Sequence, residues 1–253
     1  MFPSPSGKLD AFFRFLPALA ARWLALALIK FCYRIRIRGA SSIPSRGAAL
    51  LVSNHVSYVD ALLIGYCVRR PVRFVMIRAI YENRWLNWFF RIMRVIPIST
   101  DESPKKILAS LRAARSALDA GELVGIFPEG KISVAGLPDD FRPGMEYILR
   151  DSAHPVIPVY LGGVYGSVFS RFKTPPFRRM PARFPYPVAV HFGSPLPPDT
   201  PATVVRDAII ALSRTFLEEE RAKGSPLPEH IRAVDTLAPA PPSDPSSHAT
   251  RDA

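Results

Sequence analysis

The chain has 253 residues, 48% of them hydrophobic, and a formal net charge of +12 with an isoelectric point near 10.1. That length holds one large domain with a substantial core, and the excess of cations asks for an anionic partner. Only two cysteines occur, Cys32 and Cys67, both in apolar runs, which excludes a disulfide framework and points to a reducing compartment.

Residues 1–33 open with a short polar lead and continue as the most hydrophobic stretch of the chain. No small-residue cleavage site follows a basic start, so it is not a signal peptide. Arg22 interrupts the apolar run between Arg14 and Lys30, which leaves too little for a span of about 20 apolar residues. Pro17 ends or kinks any helix that reaches it. The stretch predicts two short amphipathic helices lying in a membrane interface, with arginines reaching the headgroups. A helix packed on the protein's own core is the alternative.

Residues 34–223 read as one α/β domain. Arg34 to Arg38 alternates at period two and predicts a half-buried strand ended by Gly39. Ala48 to Ser53 is a buried strand, Asp60 to Val68 a helix, and Val72 to Ile77 another strand. Tyr81 to Arg94 carries Trp85, Trp88, Phe89 and Phe90 at roughly helical spacing. Arginines interleaved with these rings suit an interfacial helix, with plain core as the alternative. Val95 to Ser99 predicts a short strand. Ser103-Pro104 starts a helix with Ser as N-cap, and Gly121 stops it. Leu123 to Phe127 is a buried strand ending in Pro128-Glu129-Gly130. A loop spans Lys131 to Asp140, and Phe141 to Ser152 turns helical after Pro143. Val156 to Leu161 is a strand whose Pro158 argues for an edge or a bulge. Gly162 to Pro187 is a basic loop, Val188 to Phe192 the last strand, and Ala202 to Ala222 the last helix. Residues 224–253 are rich in Pro, Ser and Ala and predict a disordered tail. Strands alternating with helices indicate a central mixed, largely parallel sheet covered by helices.

The chemistry-bearing stretch is Asn54-His55-Val56-Ser57-Tyr58-Val59-Asp60, at a strand exit that runs into a helix. A turn between His55 and Asp60 lets the carboxylate accept from one ring nitrogen and leaves the other free to take a proton. A satisfied structural pair is the bland alternative. The five histidines are scattered without ligand spacing, so no metal or cofactor is implied. Cations threaded through apolar and aromatic residues favour a lipid interface, and no helix-turn-helix, zinc-finger or RNP pattern speaks for nucleic acid.

These blocks resemble the glycerolipid acyltransferases, the family of the 1-acylglycerol-3-phosphate acyltransferases. The first is Asn54-His55 to Asp60. The region Arg78 to Ser99, Ile126-Phe127-Pro128-Glu129-Gly130 and Val156 to Val159 follow in the family's order. Lys131-Ile132-Ser133 in place of Thr-Arg-Ser, and Ser99 in place of a closing Arg, look like the 2-acylglycerophosphoethanolamine acyltransferase branch. The resemblance implies acyl transfer from acyl-CoA or acyl carrier protein to a lysophospholipid hydroxyl at a membrane surface, on the cytoplasmic face (the inner membrane, if bacterial). Lysophosphatidate is the expected acceptor and the ethanolamine lipid the alternative. It further implies His55 as general base and Asp60 as its partner. Substrate contacts would come from Asn54, Arg78, Phe127, Pro128, Glu129, Gly130 and Lys131, with backbone N–H groups near Asn54 or Gly130 as guesses for oxyanion donors. A non-catalytic lipid-binding protein and a hydrolase using Ser57 are the competing readings.

Overall fold

The unbroken apolar runs form the middle of one seven-stranded sheet. In the computed structural model, which describes residues 20–99, 103–133, 138–164, 167, 169 and 184–224, the strands are β1 (Tyr33–Arg38), β2 (Ala49–Ser53), β3 (Val72–Ile77), β4 (Ile96–Ile98), β5 (Leu123–Ile126), β6 (Val156–Gly162) and β7 (Tyr186–Phe192). Their order across the sheet is β1-β7-β6-β2-β5-β3-β4. Every neighbouring pair is parallel except β6 and β7, so the sheet is mixed and largely parallel.

Alternate residues of the central strands enter opposite cores, the pattern of a sheet covered on both faces. Leu50 and Val52 pack with Leu111, Leu118 and Ile209; Ala49 and Leu51 pack with Leu63, Ile64 and Ile29. The first face is covered by α5 (Pro104–Asp119), α6 (Gly144–Leu149) and α7 (Ala202–Ala222). The second is covered by α2 (Asp60–Cys67) and by α1, residues 20–32. Helix α1 seats Ile29 in the core while Trp23, Leu24, Leu28 and Phe31 stay exposed. Among the described residues no helix is long and apolar enough to cross a membrane.

One local expectation is corrected and two are narrowed. Residues 81–94 are not one helix: α3 (Arg78–Tyr81) and α4 (Asn87–Ile92) are separated by turns. Asn83 Oδ1 accepts the Trp85 N–H at 3.0 Å and Asn87 Nδ2 donates to Tyr81 O at 2.7 Å, side-chain bonds that compete with a continuous helix. Ser103 precedes α5, but its side chain makes no capping bond; its carbonyl accepts from Lys106 and Ile107. Pro158 lies on an interior strand, not an edge. Val159 pairs with Phe192 whereas Val156 bridges to Leu196, so the β7 side carries one extra residue, and the missing N–H of Pro158 falls at this bulge.

Many of the basic residues serve the fold. Arg70 donates to the carbonyls of Pro44, Gly47 and Gly121. Arg73 and Arg94 both meet Glu122, while Arg36 and Arg38 meet Glu220 and Glu219 on α7. The basic run Arg171 to Arg183, the first of the two expected N-terminal helices and the tail after Gly224 lie outside the described residues.

Candidate active site

Two parallel neighbours deliver the site. Val52 of β2 pairs with Ile126 of β5. His55 and Glu129 each stand three residues beyond these partners, so they leave the sheet at matching height. The His55 N–H donates to Glu129 Oε1 at 2.9 Å. The carboxyl ends of neighbouring parallel strands are where α/β sheets gather ligand-binding groups.

The turn from β2 into α2 is wound around Asp60. Its Oδ2 accepts from the N–H of Val56 at 2.7 Å, from the N–H of Ser57 at 2.8 Å and from His55 Nδ1 at 2.9 Å. Asp60 is fully buried, and Oδ1 has no partner. With Nδ1–H donating to the carboxylate, the lone pair of the imidazole is left at Nε2. The His55 ring also lies on Phe127, centroids 4.2 Å apart, and Phe127 lies on Phe74 at 5.8 Å. Phe74 can lie there because β5 carries Gly125 at the contact: a Cβ would come within 2.4 Å of the Phe74 ring.

His55 opens onto a cavity of about 630 Å³. Its wall is mostly apolar and includes Ile77, Ile80, Leu86, Phe90, Leu108 and Leu111, together with Phe127, Pro128 and Gly130 from the β5 exit. Arg142, Glu146 and Arg150 supply its charges. An apolar pocket with few polar groups suits a ligand that is mostly hydrocarbon.

The expected substrate contacts divide. Phe127, Pro128 and Gly130 line the cavity beside His55. Asn54 is buried, with its side chain bonded to both the N–H and the carbonyl of Leu161; it joins β2 to β6. The Gly130 N–H donates to Phe127 O at 3.1 Å, so it is already engaged. Lys131 pairs with Asp139 at 3.1 Å, and its side chain is 66% exposed. Arg78 pairs with Glu82 at the start of α3. Neither cation is among the residues that line the cavity. Ser57, the possible nucleophile of a hydrolase, is buried; its hydroxyl donates to Phe169 O and accepts from the Val59 N–H. Sequence reading missed Arg142 and the Phe74–Phe127 stack, because neither carries a local signal: both depend on which loops and strands become neighbours. Among the described residues no three His, Cys, Asp or Glu side chains converge as metal ligands.

Glu129 is 2% exposed, and its Oε2 is buried without a partner. Burial pushes its carboxyl up to about 8, against the hydrogen bond from the His55 N–H and one from the backbone of Asp139; the nearby Asp139 and Asp60 carboxylates push the same way as burial. The group is therefore mostly neutral at pH 7. The sign of the effect on stability follows. A carboxyl that titrates higher in the folded state favours folding fully below its unfolded value, near 4.3. That contribution falls as pH rises to about 8. Glu129→Gln, which keeps an oxygen for the His55 N–H, should remove this dependence. Wild type is expected to lose stability against the variant by up to about 1.4 kcal/mol per pH unit across that window. Parallel melting curves from pH 4 to 9 read the difference; a constant gap between the two proteins would refute a neutral, buried Glu129.

Residues 34–162, just over half of the chain, match the model of the family described as Acyltransferase. A relative from Brassica napus, a chloroplastic 1-acyl-sn-glycerol-3-phosphate acyltransferase, is 26% identical over 146 residues, 57% of this chain and 42% of the relative. The 1-acyl-sn-glycerol-3-phosphate acyltransferase of Bacillus subtilis is 21% identical over 130 residues, 51% of this chain and 63% of the relative. The chain thus spans about half the length of these curated relatives. The solved 1-acyl-sn-glycerophosphate acyltransferase of Thermotoga maritima superposes with a TM-score of 0.60 at 20% identity, over 86% of this chain and 89% of that one, which establishes the shared fold.

Proposed function

The chain belongs to the acyltransferase family, and from that premise we propose that it moves a fatty acyl chain from an acyl thioester to the free hydroxyl of a lysophospholipid. The observation that carries the proposal is a histidine held by a buried aspartate at the wall of a largely apolar cavity. The cavity holds the hydrocarbon, whose burial contributes about 0.8 kcal/mol per methylene.

The acceptor hydroxyl is a weak nucleophile and needs a base. Nε2 of His55 takes its proton as the oxygen attacks the thioester carbonyl carbon. Asp60 keeps Nδ1–H in place and stabilises the imidazolium that forms. When the tetrahedral intermediate collapses, the C–S bond breaks and the imidazolium returns the proton to the departing thiolate. Glu129 holds the backbone of His55.

The names of the relatives support 1-acylglycerol-3-phosphate as acceptor and phosphatidic acid as product. The 2-acylglycerophosphoethanolamine lipid is the second reading, favoured by Lys131-Ile132-Ser133 after Gly130. Both acyl-CoA and acyl carrier protein fit as donor. The exposed Trp23, Leu24, Leu28 and Phe31 of α1 and the exposed Trp85 and Trp88 support work at a membrane surface.

One panel tests this. Purified protein is given a labelled acyl group on either carrier and lysophospholipids that differ only in head group. Transfer to lysophosphatidate, above that to the ethanolamine lipid, is the expected result. Release of free fatty acid without acceptor would point to a hydrolase, and no turnover with any pair to a lipid-binding protein.

A further inference from the structure

The cation that lines the cavity beside His55 is not one the sequence singles out. Lys131 and Arg78 each have a carboxylate partner, and neither lines the cavity. Arg142 does line it, with His55, Pro128 and Gly130. Its backbone N–H donates to Pro128 O at 3.0 Å, which ties the residue to the turn after β5. Its guanidinium lies over the bare face of Gly130: a Cβ there would stand 3.0 Å from Nε and 3.2 Å from Cζ. Gly130 also has φ +67, a conformation that side chains disfavour. One residue earlier, Glu129 holds the His55 N–H. Among the described residues no carboxylate stands within ion-pair distance of Arg142. Solvent reaches Arg142, so a charged head could stay at the rim while the acyl chain fills the apolar interior.

Arg150 is the other cation of the wall, but it lies at the far end of α6, over the ring of Tyr147. The six-residue helix α6, roughly 9 Å long at 1.5 Å per residue, lies between it and Arg142.

Resting on the acyltransferase reading, we propose that Arg142 is the acceptor-phosphate contact and sets the preference for a phosphate-bearing head group. Its planar fork can give a phosphate two parallel N–H···O bonds, which a lysine cannot. Gly130 keeps the space in which that fork lies.

The test compares wild type, Arg142→Met, Arg142→Lys and Lys131→Met. Binding of a short-chain, monomeric lysophosphatidate is measured by calorimetry. The Michaelis constants are then measured for lysophosphatidate, for the uncharged 1-acylglycerol with the same chain, and for the donor. Arg142→Met is expected to weaken binding and raise the lysophosphatidate constant by roughly 10- to 100-fold, the usual cost of a lost hydrogen bond to a charged group. The donor constant and the rate with 1-acylglycerol should not change, and Arg142→Lys should recover part of the loss. Failure of wild type to bind the short-chain lipid overturns the proposal. So does an equal effect on both acceptors, an effect on the donor alone, or the same loss from Lys131→Met in place of Arg142→Met. Binding that depends on Arg142 in a protein that transfers no acyl group would keep this assignment and overturn the acyltransferase reading instead.

Discussion

Replacing His55 by alanine is expected to lower acyl transfer by about 10²- to 10⁴-fold, the contribution of a positioned general base. The change takes away the nitrogen proposed to accept the acceptor's proton and leaves the frame around it intact. Asp60 keeps its two backbone donors, Val56 and Ser57, so the turn into α2 has no reason to open. The Glu129 bond is made to the backbone N–H of residue 55 and survives the substitution. Phe127 loses the ring stacked on it but remains packed on Phe74. The melting temperature should therefore move by only a few degrees while turnover falls. Measured kcat/KM near the wild-type value would end the general-base assignment.

Asp60→Asn comes second, with an expected loss of about 10²- to 10³-fold, smaller than the roughly 10⁴-fold known for a histidine left in the wrong tautomer. An amide oxygen in the place of Oδ2 can still accept from Val56, Ser57 and Nδ1, so the tautomer is kept. What disappears is the negative charge facing the imidazolium. The amide NH2 then falls where Oδ1 is buried without a partner, which costs about 1–3 kcal/mol. Unlike His55→Ala, this variant should lose both turnover and melting temperature. Full activity in it would reduce Asp60 to a residue that only builds the turn.

The two expected losses differ because Asp60 winds the turn as well as facing the imidazole, and that double use explains what the sequence could convey. His55 and Asp60 are five residues apart on one turn, so their pairing is legible from local order. The bounds of β3 and α7 are legible too, since apolar runs and a 3.6-residue stripe mark them. The bond from His55 to Glu129 crosses 74 residues and exists only because β2 lies beside β5 in a given register. Strand neighbours of that kind leave no local trace. Pro158 shows the same limit: it marks a bulge correctly, yet nothing near it tells that two strands flank β6. The segment from Tyr81 to Arg94 misleads for another reason. Its ring spacing fits one helix, and two asparagine side chains divide it. Which cation enters the cavity is likewise settled by the turn at Gly130, not by nearness to the motif: Lys131 turns to Asp139 while Arg142 comes across.

The missing side chain of Gly125 reaches further than its strand. Phe74 occupies the space a Cβ would need, Phe127 rests on Phe74, and the His55 ring rests on Phe127. The plane of the imidazole thus rests on two rings that line the cavity and on a glycine that contributes only emptiness. A chain drifting under mutation could exchange many apolar residues of this core for others of similar bulk. At position 125 it has no such latitude, because any added atom is passed ring by ring to the imidazole. One buried glycine in a strand interior, unremarkable in composition, therefore bears on the pose of the His55 ring through two stacked rings.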